Sequence, residues 1–217
     1  EPRSNYVGKC VLRNCISLRD FLKLEKYVRI NRRKCRIGVR RTSLPIILPL
    51  SKSLGYILGL YLAEGFKGER KNLRTICYGL HVKEKSIRDE LIKSLSLIGI
   101  KRDKVRVHTY GKRMVVVVNN ALFARLIDSL IPQREASEKR LPLFAFTSPL
   151  EFRRGLIRGL FHGDATLRKN GNEIIFTTVN EWLHSEVFYL ILSLGMVPRR
   201  EERQQKGKKR CYRLILS

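Results

Sequence analysis

The sequence nearly repeats itself at an offset of one hundred residues. GYILGLYLAEG (Gly55–Gly65) aligns without a gap to GLIRGLFHGDA (Gly155–Ala165), with the two glycines, the isoleucine and one leucine of each identical. Tyr61/Phe161, Ala63/Gly163 and Glu64/Asp164 are chemically matched. The likeness continues downstream. A hairpin-like stretch follows each acidic residue, then a helical stretch (SIRDELIKSLSLIG and EWLHSEVFYLILSLG) that ends at a glycine, Gly99 or Gly195. Such glycines suit a helix C-cap. Twelve residues further, Gly111 and Gly207 stand in the basic turns GKR and GKK, between strand-like segments. A period of this length marks a duplicated structural unit. Each half therefore reads helix–strand–strand–helix–strand–strand, and the first adds ALFARLIDSLI, stopped by Pro132. The expected fold class is α+β: two pseudo-symmetric αββαββ(α) repeats with two antiparallel sheets. The expected boundaries are 1–50 for a basic N-terminal extension, 51–131 for the first repeat, 132–147 for a linker and 148–217 for the second repeat.

The repeated segments read as helices. Ser148–Pro149–x–Glu151 has the form of an N-cap serine, a first-turn proline and a capping-box glutamate. Ser53 or Ser51 would cap the first helix. Gly55, Gly59 and Ala63 lie four apart on one helical face, as do Gly155, Gly159 and Gly163. A glycine inside a helix costs about 1 kcal/mol relative to alanine. Glycines repeated in phase call for a compensating gain, and close approach of two helix backbones provides one. Glu64 and Asp164 then fall in the last turns of the paired helices, where the helix dipole disfavours an anion. Brought together, each would also oppose the other's ionisation. A divalent cation bound between them reverses both penalties, and hard oxygen ligands suit Mg²⁺. The alternative, two unrelated acids exposed at helix ends, leaves the matched phase of the glycines without a reason.

Charge narrows the partner. Forty-five Lys and Arg against nineteen Asp and Glu leave the chain at +26. Repulsion of that size in a folded chain points to a polyanion, with nucleic acid first; a solvated basic surface or ribosomal-type protein is the competing reading. Hydrophobic residues are 43% of the chain, enough for a core. No apolar run is long enough for a membrane-spanning helix, so no membrane is expected, and no secretory segment is visible. The cysteines, Cys10, Cys15, Cys35, Cys77 and Cys211, are odd in number and include no CxxC pair, which suits reduced thiols in an intracellular, cytoplasmic or organellar protein. The four histidines are scattered, without metal-motif spacing.

At the repeated segments the chain resembles the LAGLIDADG homing endonuclease family. LGLYLAEG (Leu58–Gly65) resembles its first motif and RGLFHGDA (Arg158–Ala165) its second, and the likeness runs from Ser51 to Ser217. The resemblance implies motif helices packed at a pseudo-two-fold axis and a saddle of two sheets in the DNA major groove. It implies Glu64 and Asp164 as metal-binding carboxylates, with the adjoining Ala63 and Gly163 in the same metal site. It also places a lysine at the end of the hairpin's second strand, where Lys83 stands. The equivalent position in the second half is Val179, with Asn180 a weak substitute for a basic residue, and Ala165 replaces the usual final glycine. The implied cofactor is Mg²⁺, with Mn²⁺ substituting and Ca²⁺ occupying the site without supporting cleavage.

The function expected on this reading is site-specific hydrolysis of both strands of a long double-stranded DNA target by a monomer. An RNA-binding maturase acting on a host intron, or a non-catalytic DNA-binding regulator of the same fold, are the alternatives. The opening Glu1 and the lack of a terminal His-Asn pair favour a free-standing, intron-encoded protein over an intein. Base contacts are expected from sheet side chains, because the major groove admits a β-ribbon. KVRVHTY alternates, placing Lys104, Arg106, His108 and Tyr110 on one face. Lys112 and Arg113 follow in the basic turn, and Lys67, Arg74 and Arg168 are further candidates. Arg32, Arg33, Lys34 and Arg36 of the basic run Arg29–Arg41 are candidates for backbone contacts.

Overall fold

The computed structural model describes residues 16–24, 26–27, 31–39, 42–70, 73–133, 135–168, 171–204, 207 and 210–217, with backbone alone for 24, 69, 70, 73 and 74. The side chain of Arg74, and Cys10, Cys15, Arg29, Arg40, Arg41, Lys208 and Lys209, lie outside the described residues. The chain divides into two compact units, one of residues 1–37 and 45–47 and one of 38–44 and 48–217.

The first unit carries helix α1 (Leu18–Leu24). Its entry has the expected pairing: Ser17 Oγ accepts from Asp20 N–H at 3.1 Å and donates to Asp20 Oδ2 at 2.6 Å. A 3₁₀ turn, Arg32–Lys34, follows, capped by the Asn31 side chain, which accepts from Arg33 N–H. Strands β1 (Arg36–Val39) and β2 (Thr42–Pro45) come next in the chain.

The second unit contains the repeat. In order it runs α2 (Lys52–Glu64), β3 (Gly65–Arg70), β4 (Leu73–His81), α3 (Lys85–Leu97), β5 (Val105–Tyr110), β6 (Arg113–Val118) and α4 (Ala121–Leu130). It then runs α5 (Leu150–Asp164), β7 (Ala165–Leu167), β8 (Ile174–Thr178), α6 (Glu181–Leu192), β9 (Arg199–Arg203) and β10 (Cys211–Leu216). The two sheets are antiparallel with the same internal order, β3-β4-β6-β5 and β7-β8-β10-β9. Both second helices end on the predicted glycines, Gly99 (φ 86°) and Gly195 (φ 83°). There Ile100 N–H reaches back to Leu95 O and Met196 N–H to Ile191 O. This is the Schellman closure, which needs the left-handed backbone that glycine tolerates.

Helix α2 is buried all round, from Leu54 through Leu62. A helix without a polar face is one enclosed by other elements. It lies parallel to α5, and the glycines set the separation. A Cβ on Gly55 would strike the Phe152 carbonyl oxygen, one on Gly59 the Leu156 oxygen, one on Gly155 the Lys52 oxygen and one on Gly159 the Tyr56 oxygen. Backbone thus meets backbone, the gain that offsets the cost of glycine in the helix. Around this contact Ile57, Leu58, Leu60, Leu156 and Leu160 are sealed from water, each worth roughly 1.5–3 kcal/mol.

One open reading is decided and two change. Ser51 caps α2, accepting from Leu54 N–H at 3.3 Å. The capping box at α5 does not form. The Ser148 hydroxyl donates to Ala145 O at 2.6 Å, Pro149 stands at the cap without a side-chain bond, and Glu151 pairs with Arg154. Lys104 belongs to a 3₁₀ turn (Arg102–Lys104) before β5 and pairs with Asp103 at 3.1 Å, so the alternating row begins at Arg106.

The stretch 132–147 is tied in at points along its second half. Lys139, Leu141 and Ala145 are buried, and Glu186 of α6 receives both Arg140 Nε (2.6 Å) and Leu141 N–H (2.8 Å).

Candidate metal and nucleic-acid site

Because α2 and α5 run parallel in register, their last turns meet. Gly163 sits so close to α2 that a Cβ there would overlap that of Ala63 and lie 3.0 Å from Glu64 Cγ. Glu64 and Asp164 therefore share one end of the helix pair. Burial raises the Glu64 carboxyl to about 7, reinforced by the charges of Asp164 and Glu84 and opposed by Lys139 and Arg113. Burial raises Asp164 to about 6, against the pull of Lys139. Two half-buried carboxylates that resist ionisation are what a hard cation relieves. The donor set fits a divalent ion, of which Glu64 and Asp164 could be the charged ligands. Among the described residues no cluster of three or more His, Cys, Asp or Glu completes a cage, so further oxygen ligands must come from backbone, water or a phosphate.

Lys139 gave no signal in the sequence: it stands alone in an irregular segment, without periodicity or motif. Its Nζ donates to Gly65 O (2.7 Å), Tyr61 O (2.9 Å) and Leu62 O (3.2 Å) and lies over the Tyr61 ring. It thus bonds carbonyls at the end of α2, where a helix runs out of donors of its own; Tyr61 O accepts from Gly65 N–H as well. Burial lowers its pKa to about 8, while Asp164 and Glu64 hold it up. No bond of this kind closes α5 among the described residues.

Beside Glu64 opens a hollow of about 640 Å³, with His81, Glu84, Lys112, Arg113 and Lys139 on its walls. Lys83 is not among the lining residues. It sits exposed in the turn after β4, its N–H donating to His81 Nδ1 at 3.2 Å, while Glu84 Oε2 accepts from His81 N–H at 2.7 Å. Asn180, weighed as a basic substitute, caps α6 by accepting from Leu183 N–H and donates to Lys139 O at 2.7 Å.

Strand register settles the sheet faces. On the first sheet Ile76, Tyr78, Val116, Val118 and Val105 share the buried face. Lys67 lies opposite Ile76 and shares that face, where its Nζ meets Asp128 of α4 at 2.6 Å. That orientation removes Lys67 from the outer row. Arg106, His108, Tyr110, Arg113 and His81 form the other face, with His108 and Tyr110 stacked and Arg113 over the Phe66 ring. Among the described residues none of Arg106, Lys112 and Arg113 is ion-paired. On the second sheet the corresponding face carries Thr177, Arg213, Glu201, Arg199 and Arg203, and here the arginines are paired. Arg203 Nε meets Glu201 at 2.7 Å, Arg213 approaches it at 4.0 Å, and Glu173 engages Arg168 and Arg199. Arg32, Arg33, Lys34 and Arg36 are exposed within the first unit.

Residues 151–217 match the family model described as a LAGLIDADG-like domain. The DNA polymerase II large subunit of Thermococcus kodakarensis is 28% identical over 162 residues, which is 73% of this chain. The chain spans only a small part of the curated relatives it matches, 9% of that subunit. A crystal structure of I-DmoI in complex with DNA and Mn superposes with a TM-score of 0.58 at 14% identity, over 77% of this chain and 90% of that one. Full-length DUF199/WhiA from Thermatoga maritima superposes with a TM-score of 0.51 at 11% identity, over 78% of this chain and 52% of that one.

Proposed function

We propose, for a chain that belongs to the LAGLIDADG family by its repeat fold and its second-half sequence, that it is a site-specific endonuclease of double-stranded DNA. The observation that carries this reading is the meeting of Glu64 and Asp164 at one end of the glycine-faced helix pair, beside a hollow walled by Lys112, Arg113 and Lys139. The I-DmoI complex contains DNA and Mn together on this fold, which supports a polyanion and a divalent ion as ligands here. Polymerase chemistry is not carried over from a relative of which the chain covers 9%.

Glu64 and Asp164 would hold a divalent ion, Mg²⁺ or Mn²⁺, with Ala63 and Gly163 at the same helix ends. When bound, such an ion supplies Lewis-acid chemistry, an acidified water and charge stabilisation at the leaving oxygen. The chain's own residues do the rest. Lys139 is a positioning residue: its three N–H groups are taken by carbonyls, so it fixes the last turn of α2 and with it Glu64. Arg113 and Lys112 would neutralise phosphate charge in the hollow, and Lys83 would act from its margin. One polypeptide supplies both acidic helices, so the working form is a monomer on a target whose half-sites differ.

The test is cleavage of a randomised duplex-DNA pool, with and without Mg²⁺. Metal-dependent double-strand cuts at a recoverable site are expected, and Glu64→Gln with Asp164→Asn should abolish them while DNA binding persists. Undiminished cutting by the double variant would sink the assignment.

A further inference from the structure

Among the apolar and glycine contacts between α2 and α5 lies a polar one. Tyr56 of α2, at 1% exposure, brings its hydroxyl to 3.0 Å from His162 Nδ1 in the last turn of α5. The two rings meet edge to face with centroids 5.5 Å apart. Burial pushes the phenol above its ordinary value, so the hydroxyl keeps its proton. Tyr56 also shares the wall of a hollow of about 490 Å³ with Arg158 of α5 and Glu90 of α3, which pair at 2.7 Å. Both contacts tie the second acidic helix to elements of the first repeat.

The duplication provides an internal comparison. One hundred residues away, the positions matching Tyr56, His162 and Arg158 are Leu156, Leu62 and Leu58, all buried. Glu186 of α6 matches Glu90 by its distance from the closing glycine, and it takes Arg140 and Leu141 instead. Leucines therefore suffice to pack these positions. A hydroxyl and an imidazole placed there must first be desolvated, and their hydrogen bond contributes little net stability. What the bond adds is direction. Apolar contact is non-directional and lets two helix faces slide or turn against each other. A bond from Tyr56 to His162 fixes one residue of α5 against one of α2, and His162 stands only two residues before Asp164.

We propose that Tyr56 and His162 are positioning residues for Asp164: their bond across the helix pair sets the register and rotation of the last turn of α5, and with it the place of the Asp164 carboxylate beside Glu64. The first carboxylate is then held through Lys139 and the second through this bond, so unrelated means fix the two sides of one site. This rests on the reading of Glu64 and Asp164 as ligands of a divalent ion, whose affinity depends on the partners that orient its ligands.

The test uses the full chain with Mn²⁺ alone as the probe, its binding followed by the EPR signal of the free ion, without and with duplex DNA. Tyr56→Phe deletes only the hydroxyl. His162→Leu installs the residue found at the matching place in the first repeat, and His162→Asn keeps a polar group near the Nδ1 position. Tyr56→Phe and His162→Leu should each raise the Mn²⁺ dissociation constant roughly threefold to tenfold. The double variant should do no worse than either, since the same bond is lost in all three, and His162→Asn should recover most of the affinity. A bond that only adds stability would lower Tm without moving metal affinity. Unchanged Mn²⁺ affinity in Tyr56→Phe, additive losses in the double variant, or His162→Asn as weak as His162→Leu would therefore overturn the proposal. Glu64→Gln and Asp164→Asn would still remove Mn²⁺ binding in each of those cases, leaving the metal site intact as a reading. Mn²⁺ binding that survives both carboxylate substitutions would sink that reading, and this one with it.

Discussion

The two halves share a backbone plan and differ in what their side chains do with it. In the first, the end of α2 is held by Lys139 and the sheet's inner edge is covered by α4, where Asp128 receives Lys67. In the second, the position matching Lys67 is Leu167, which is 65% exposed, as Ile174 beside it is 40% exposed. The outer faces contrast too: among the described residues Arg106, Lys112 and Arg113 on one sheet make no ion pair, while the other holds Arg–Glu pairs. Duplication conserved what both halves must provide jointly, the glycine faces and the acids at their ends. It released what each half provides alone.

The most severe way to break the joint part is to part the helices. Gly59→Val or Gly159→Val sets a branched side chain against a backbone carbonyl that cannot move. The expected cost is about 3 kcal/mol or more, with a fall in Tm on the order of 10 °C. Gly163→Ala meets side-chain atoms of Ala63 and Glu64 instead, so it should cost less and act mainly by moving the carboxylates. Thermal melts of the variants side by side decide this; equal losses at all three positions would remove the distinction between spacing glycines and site glycine.

Next in size is the acidic end. Glu64→Gln alone should slow cleavage on the order of a hundredfold or more and raise the metal-free Tm, because a carboxyl that resists ionisation is replaced by a neutral amide. The sign of the pH dependence follows. Between about pH 4.5 and 7 the unfolded Glu64 is ionised while the folded one keeps its proton, so metal-free stability falls as pH rises through that window. Asp164 acts the same way between about 3.8 and 6. Lys139 has the opposite sign: folded at about 8 against 10.5, it makes stability rise between those values. Added Mg²⁺ should therefore raise Tm more at pH 8 than at pH 5.5. A metal-free Tm flat from pH 5 to 7.5 would contradict the burial of the pair.

A finer probe of the asymmetry is Lys139→Met. It leaves the carbonyls of Tyr61, Leu62 and Gly65 without their shared donor while removing a costly buried charge. A net loss on the order of 1 kcal/mol is expected in denaturant unfolding, with a larger effect on cutting, roughly tenfold or more, through displacement of Glu64. Because the lysine closes only α2, the two DNA strands should be cut at rates that diverge further in the variant. Strand-resolved time courses check this.

Much of the arrangement was legible because it rests on local chemistry or on period. The duplication, the glycine spacing, the alternation of Arg106, His108 and Tyr110, and the helix-ending Gly99 and Gly195 are short-range patterns, and each dictates backbone geometry wherever it occurs. The in-phase glycines even implied that Glu64 and Asp164 would meet, since parallel helices in register bring equal positions together. What the tertiary structure alone decided are matters of which face and which distant partner. The alternation in FKG cannot say that Lys67 turns inward to Asp128. The Ser148 hydroxyl had two acceptable uses, and the preceding turn took it for Ala145. Lys139 carries no periodic signal, and its role exists only because the chain between the repeats passes the open end of α2. There the carbonyls of Tyr61, Leu62 and Gly65 and two half-buried carboxylates make a place where an ammonium can be buried.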